Sequence, residues 1–159
     1  MIKYIPVSFY KKFKSGNGAA LQLSISPAKI ESTDEKQNVY VKGNVYATFA
    51  KQNGENFDFD KKIVIKLSAL ECANLILKMR THTSFDIIHK MEDRITSLKG
   101  EVGDKNSYKL TVFTKTGDNV RSVGLYLSED EVEESIIYLK EAVIMSYKID
   151  TEVIMPLEK

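Results

Sequence analysis

Residues 61–80 read KKIVIKLSALECANLILKMR, a strand and a helix joined by one capping residue. Ile63, Ile65 and Leu67 alternate with Lys62, Val64 and Lys66, the period of two that marks a strand with one buried face. Ser68 interrupts the alternation and Glu71 follows three residues later. A Ser at the N-cap and a Glu at the third helical position each accept a bond from the other's backbone N–H, so a helix is predicted over 69–79. Sixty positions on, the pattern returns: Val123, Leu125 and Leu127 alternate with Ser122, Gly124 and Tyr126, and Ser128 with Glu131 repeats the cap. Upstream, residues 48–54 (TFAKQNG) and 111–117 (TVFTKTG) also match. Each is a strand with a Lys near its end, running into a Gly turn. The chain reads as two copies of one unit.

The remaining strands complete that unit. Alternation predicts strands over 5–12 and 21–26, the second ended by Pro27. Residues 31–38 are polar and read as a loop. A long third strand is expected over 39–51, with Val39, Val41, Val45, Ala47 and Phe49 on one face. A fourth runs over 57–67. In the second half, strands are expected over 84–90, 94–102, 108–115 and 120–127, then a helix over 129–148. The fold class is therefore α+β: a duplicated ββββα unit giving two antiparallel four-stranded sheets with two helices. Only Thr81, His82 and Thr83 separate the halves, so residues 1–150 are read as one domain of two pseudo-repeats, 1–81 and 82–150, with a tail over 151–159. Leu70 and Leu77 fall off the apolar face of the first helix, and Ile137 and Ile144 off that of the second. A helix needing cover on more than one side is either buried between layers of its own chain or packed on another subunit; both fit the pattern, and a homo-oligomer, dimer or tetramer, is expected.

The chain's 159 residues, 43% hydrophobic and 28% charged, fit one well-cored globular domain. No apolar run approaches a membrane span, and residues 1–12 lack the core and cleavage site of a signal peptide. A single cysteine, Cys72, rules out an internal disulfide framework and fits a reducing compartment, so an intracellular, cytoplasmic location is expected. The net charge of +1 is unevenly spread. Lys3, Lys11, Lys12, Lys14 and Lys29 all precede the first acid, Glu31. Glu129, Asp130, Glu131, Glu133 and Glu134 crowd the start of the last helix, where the helix dipole favours them. Near-neutral charge argues against a strong nonspecific duplex binder but leaves room for a local basic groove.

Catalytic chemistry is sparse. His82 and His89 are the only histidines and neither has a partner at metal-ligand spacing. Cys72 lies among apolar helix residues, where an inert thiol is expected. The Gly16–Ala20 run is glycine-rich, but a strand follows it, whereas a phosphate-cradling loop opens a helix. No enzyme, cofactor or metal is expected. The outward strand faces say more. Tyr10 and Lys12, Tyr40, Lys42 and Tyr46, and Lys62 and Lys66 all alternate away from the apolar face. Rings interleaved with lysines suit a single strand, whose bases stack while its phosphates meet ammonium groups. Cross-strand packing accounts for exposed tyrosines equally well.

Residues 10–21, YKKFKSGNGAAL, resemble the Lys-Gly-Lys-Ala-Ala-Leu signature of the Whirly proteins, here without the second Lys and stretched by Gly16-Asn17-Gly18. Together with the two Leu-Ser-x-x-Glu junctions, the chain is similar to the superfamily of Whirly proteins, positive-cofactor transcriptional coactivators and kinetoplastid guide-RNA-binding proteins. The resemblance implies a homo-oligomer that binds single-stranded DNA with low sequence specificity, in replication, recombination, repair or transcription. By position it points to Lys11, Lys12 and Lys14 in the basic hairpin and to Tyr40, Lys42, Tyr46, Lys62 and Lys66 on the third and fourth strands, with Tyr10 added from the outward pattern of the first. The lack of a transit peptide suggests a bacterial or viral source. RNA binding on the same fold, or a protein-interaction or structural module, are the alternatives.

Overall fold

In the computed structural model, which describes residues 4–148, the apolar alternation becomes two meandering sheets. The tail expected over 151–159 lies outside the described residues. β1 (Val7–Lys11), β2 (Ala19–Ser26), β3 (Lys29–Ser32), β4 (Asn38–Val41), β5 (Asn44–Asn53), β6 (Asn56–Phe57) and β7 (Ile63–Ser68) precede α1 (Ala69–Arg80). β8 (Phe85–Lys90), β9 (Arg94–Val102), β10 (Tyr108–Thr116) and β11 (Asn119–Leu127) precede α2 (Glu129–Met145). The first sheet runs β1-β2-β5-β7 with short β6 beside β5, and the second runs β8-β9-β10-β11, all antiparallel. Each sheet is followed by its helix, as the duplicated ββββα reading expects.

Ile63, Ile65 and Leu67 are buried, as are Val123, Leu125 and Leu127. They join Phe9, Leu21, Phe49, Phe85, Leu110 and Val112 in one core shared by both sheets and both helices. Each such side chain is worth roughly 1.5–3 kcal/mol of transfer free energy, so the shared core holds the repeats together. The buried stripe of α1 is Ala69, Cys72, Leu75, Ile76 and Met79, and that of α2 is Val132, Ser135, Ile136, Leu139 and Ala142. The helices pack against each other, and β7 packs on β9 and β10 as β11 packs on β2 and β5. Both predicted capping boxes form. Ser68 Oγ accepts from the Glu71 amide at 3.1 Å while Glu71 Oε1 accepts from the Ser68 amide at 3.0 Å. At α2 the corresponding distances are 3.4 and 2.9 Å. Tyr108, wholly buried, donates its hydroxyl to the Lys78 and Thr83 carbonyls and so ties the end of α1 to the second sheet.

The first repeat departs from expectation at its third and fourth strands and at the loop between 31 and 38. The strand expected over 39–51 is broken at Lys42 and Gly43: β4 pairs only with β3, in a separate two-stranded arm, and β5 alone enters the main sheet. A Cβ on Gly43 would stand 2.5 Å from the Ser26 carbonyl oxygen, so the chain turns there against backbone. The polar segment over 31–38 accordingly includes the end of β3 and the arm's turn. The fourth strand expected over 57–67 starts only at Ile63, after a 3-10 turn over Phe59–Lys61. The first sheet thus has β6 as a fifth member, beyond the four strands expected.

Candidate nucleic-acid interface

Because side chains alternate across a strand, the residues opposite the core of β5 and β7 line an outer face. Tyr46 and Lys66 stand directly across from each other there, and both are exposed. This face does not end at the sheet edge. The second sheet brings β8 and β9 alongside, and a groove of about 970 Å³ opens between them. Its walls carry Tyr46, Lys62, Lys66, His89, Lys90, Met91 and Arg94, with Asp60 and Glu71 as the acids. Tyr46, Lys62 and Lys66 are therefore the expected residues that the fold gathers into one cavity. Lys90, Met91 and Arg94 were missed. Ile87 alternates with Ile88 and Lys90 in β8 as clearly as residues do in β7, but nothing local tells that β8 lies beside β7.

The floor of the groove is fixed by a hydrogen bond across the repeats. His89 Nε2 and Glu71 Oε2 are 2.7 Å apart. Burial raises the Glu71 carboxyl, but the Ser68 amide and the His89 ring together hold it below the ordinary 4.5. The same tie recurs in the other half, where Lys11 pairs with Glu131. There burial is again outweighed, by the Lys11 ammonium and the Ser128 amide, and the carboxyl is again lowered. Lys11 and His89 occupy matching positions on the first strand of each repeat, two residues beyond buried Phe9 and Ile87. Each repeat thus clasps the capped helix of the other.

The remaining expected residues lie elsewhere. Tyr10 is exposed, and its ring centroid is 5.5 Å from that of Phe57. It stands in register with Ala20, and through it with Ala50, both buried. Lys12 pairs with Glu55, and Lys14 is exposed on the basic hairpin. Gln52 holds that hairpin shut: its Oε1 accepts from the Phe13 and Gly18 amides at 2.9 Å each, and its Nε2 donates to the Phe13 and Gly54 carbonyls. A Cβ on Gly18 would fall 1.9 Å from the Lys11 carbonyl oxygen, which is why the inserted Gly-Asn-Gly ends in a glycine. Tyr40 sits on the arm, not on the sheet face with Tyr46, and Lys42 lies at the arm's base with its ammonium 5.2 Å from the Tyr147 ring.

Among the described residues no cluster of three His, Cys, Asp or Glu could hold a metal ion. Cys72 is buried, and desolvation followed by the Glu71 charge pushes its thiol up to about 12, which keeps it protonated. The groove between the sheets thus brings Lys62, Lys66, Lys90 and Arg94 together with the exposed ring of Tyr46.

Solved structures share this architecture. WHY1 from Arabidopsis thaliana matches with a TM-score of 0.77 at 20% identity, over 92% of this chain and 86% of that one. The plant transcriptional regulator PBF-2 matches with a TM-score of 0.75 at 18% identity, over 89% and 81%. The trypanosome proteins MRP1/MRP2 match more distantly, with a TM-score of 0.58 at 9% identity over 87% and 83%. Among curated proteins no match is found. These structural relatives come from plants and a trypanosome and lend no support to the bacterial or viral source expected above. At such identities they speak for the fold alone. The sequence profile described as the Whirly transcription factor, however, matches residues 13–135, most of the chain and both of its capped repeats. The chain belongs to the Whirly family of transcription factors.

Proposed function

We propose that the chain binds single-stranded DNA, with little sequence preference, in the groove between β5–β7 and β8–β9. The observation that carries this reading is the Tyr46–Lys66 pair on the lip of a cavity that also holds Lys62, Lys90 and Arg94. The exposed ring offers a stacking face that any base can use, and the cations match a phosphate track. Membership of a transcription-factor family favours a role in transcription, with replication, recombination and repair as further settings for a single-strand binder. Residues 1–150 act as one domain in which two pseudo-repeats divide near 81 and 82. No helix among the described residues is long and apolar enough to cross a membrane, which suits the intracellular, cytoplasmic setting we assign.

A fluorescent oligo-dT titrated against wild type and against the Tyr46→Ala, Lys66→Ala double variant tests the groove. Loss of one stacked base and one phosphate contact weakens binding about tenfold or more, with an unchanged melting temperature because both residues are exposed. Equal affinity of variant and wild type would remove this groove from the site. Matched RNA competing as well as DNA would turn the assignment toward RNA, since the 2′-OH is what separates them.

Self-association has its own support. Leu70, Leu77, Ile137 and Ile144 are all exposed on the two helices. We assign this surface to a homo-oligomer, a dimer or tetramer, that places several grooves in one particle.

A further inference from the structure

The relation that carries β7 onto β11 and β5 onto β10 also carries Tyr46–Lys66 onto a second pair. Counted back from the matched caps Ser68 and Ser128, Lys66 corresponds to Tyr126. Their cross-strand partners are Tyr46 and Lys109. The ring and the cation have exchanged strands, yet each repeat presents one Tyr–Lys pair on its outer face. In the second pair the Lys109 ammonium lies 5.7 Å from the Tyr126 ring centroid, and Tyr126 is 60% exposed. Core packing explains neither residue.

A cavity of about 370 Å³ adjoins this pair, bordered by Lys11, Phe13 and Gly124. Gly124 leaves the floor beside Tyr126 bare. Through Asn17, Ala19 and Gly124 the cavity shares walls with a second of about 160 Å³, and that one shares Lys51 and Val123 with a third of about 310 Å³. Lys61 and Arg121 border the far end. The three form one trough that follows β11 from Tyr126 to Arg121, roughly 17 Å of strand at about 3.3 Å per residue. Five cations lie along it, against Asp58 in its wall and Glu131 on Lys11.

We propose that this trough is a second single-strand track, related to the first groove by the internal duplication, so that each chain holds two segments of single-stranded DNA. The proposal rests on the reading of the first groove as a single-strand site, and it assigns a role to Lys109, Tyr126 and Arg121 that the first groove leaves unused. Two tracks on one chain would let it hold two separate stretches of a melted region.

The test uses the full chain with a short oligo-dT carrying photoreactive bromodeoxyuridine, read by anisotropy and by mass-spectrometric mapping of crosslinks. Wild type is expected to crosslink at Tyr126 as well as in the first groove. The Lys109→Ala, Tyr126→Ala variant is expected to lose about tenfold in affinity for strands held there, and Lys109→Arg with Tyr126→Phe to restore it. Wild-type affinity in the double-alanine variant, with crosslinks confined to the first groove, would overturn the second track and leave the first reading standing. A wild type that binds no strand would overturn both. If the alanine variant fails to fold, the wild-type crosslink at Tyr126 decides: its presence supports the track and its absence refutes it.

Discussion

Glu71 and Glu131 occupy matched positions, cap matched helices and face different partners, the His89 ring in one repeat and the Lys11 ammonium in the other. Both carboxyls are held below their ordinary value of 4.5. A carboxyl with a lowered folded value contributes stability that is present above the unfolded value and is lost as pH falls through the folded one. Replacing both by Gln keeps the capping geometry, since Gln serves at that position as Glu does, and removes only the charge. Urea midpoints measured against pH should therefore show the double Gln variant weaker than wild type at neutral pH, with the difference closing below about pH 4. A difference independent of pH would dissociate the ties from charge. At this scale the sequence was informative wherever one strand decides the matter. Lys62, just before β7, and Lys66 within it alternate with buried Ile63, Ile65 and Leu67, and both are exposed. Lys90 and Arg94 escaped notice because their place in the groove depends on where the second sheet docks, which no local period records.

The two helix caps were legible because a capping box is a contact between residues three apart. Ser68→Ala and Ser128→Ala should each cost about 1 kcal/mol of stability, measured as a shift in denaturant midpoint with unchanged slope. A loss well below this in both would mean that the bonds seen at the caps do little. The arm formed by β3 and β4 was not legible, and the reason is parity. Val39, Val41 and Val45 keep the same phase across Gly43, so alternation runs on unbroken where the strand does not. At Gly43 the chain passes so close to the Ser26 backbone that only a residue without a Cβ fits, a tertiary constraint that alternation does not record. Tyr40 was assigned to the Tyr46 face through that same continuity.

At the scale of the whole molecule, duplication organises everything else: two sheets, two caps, two ties across the repeats. It also places Leu77 and Ile137 at matched positions nine residues after their caps, each 60% exposed. Leu77→Glu combined with Ile137→Glu should convert a multi-subunit particle into a monomer by light scattering while leaving the melting temperature of the subunit nearly unchanged. A wild type already monomeric would remove self-association from the account. The outcome that matters most is whether the groove holds a strand at all. Titration of fluorescent oligo-dT with the wild-type chain across a series of salt concentrations answers this directly. Tight binding is expected at low salt, with log affinity falling against log salt by about 0.7 for each phosphate engaged. No change in anisotropy at the lowest salt would contradict it.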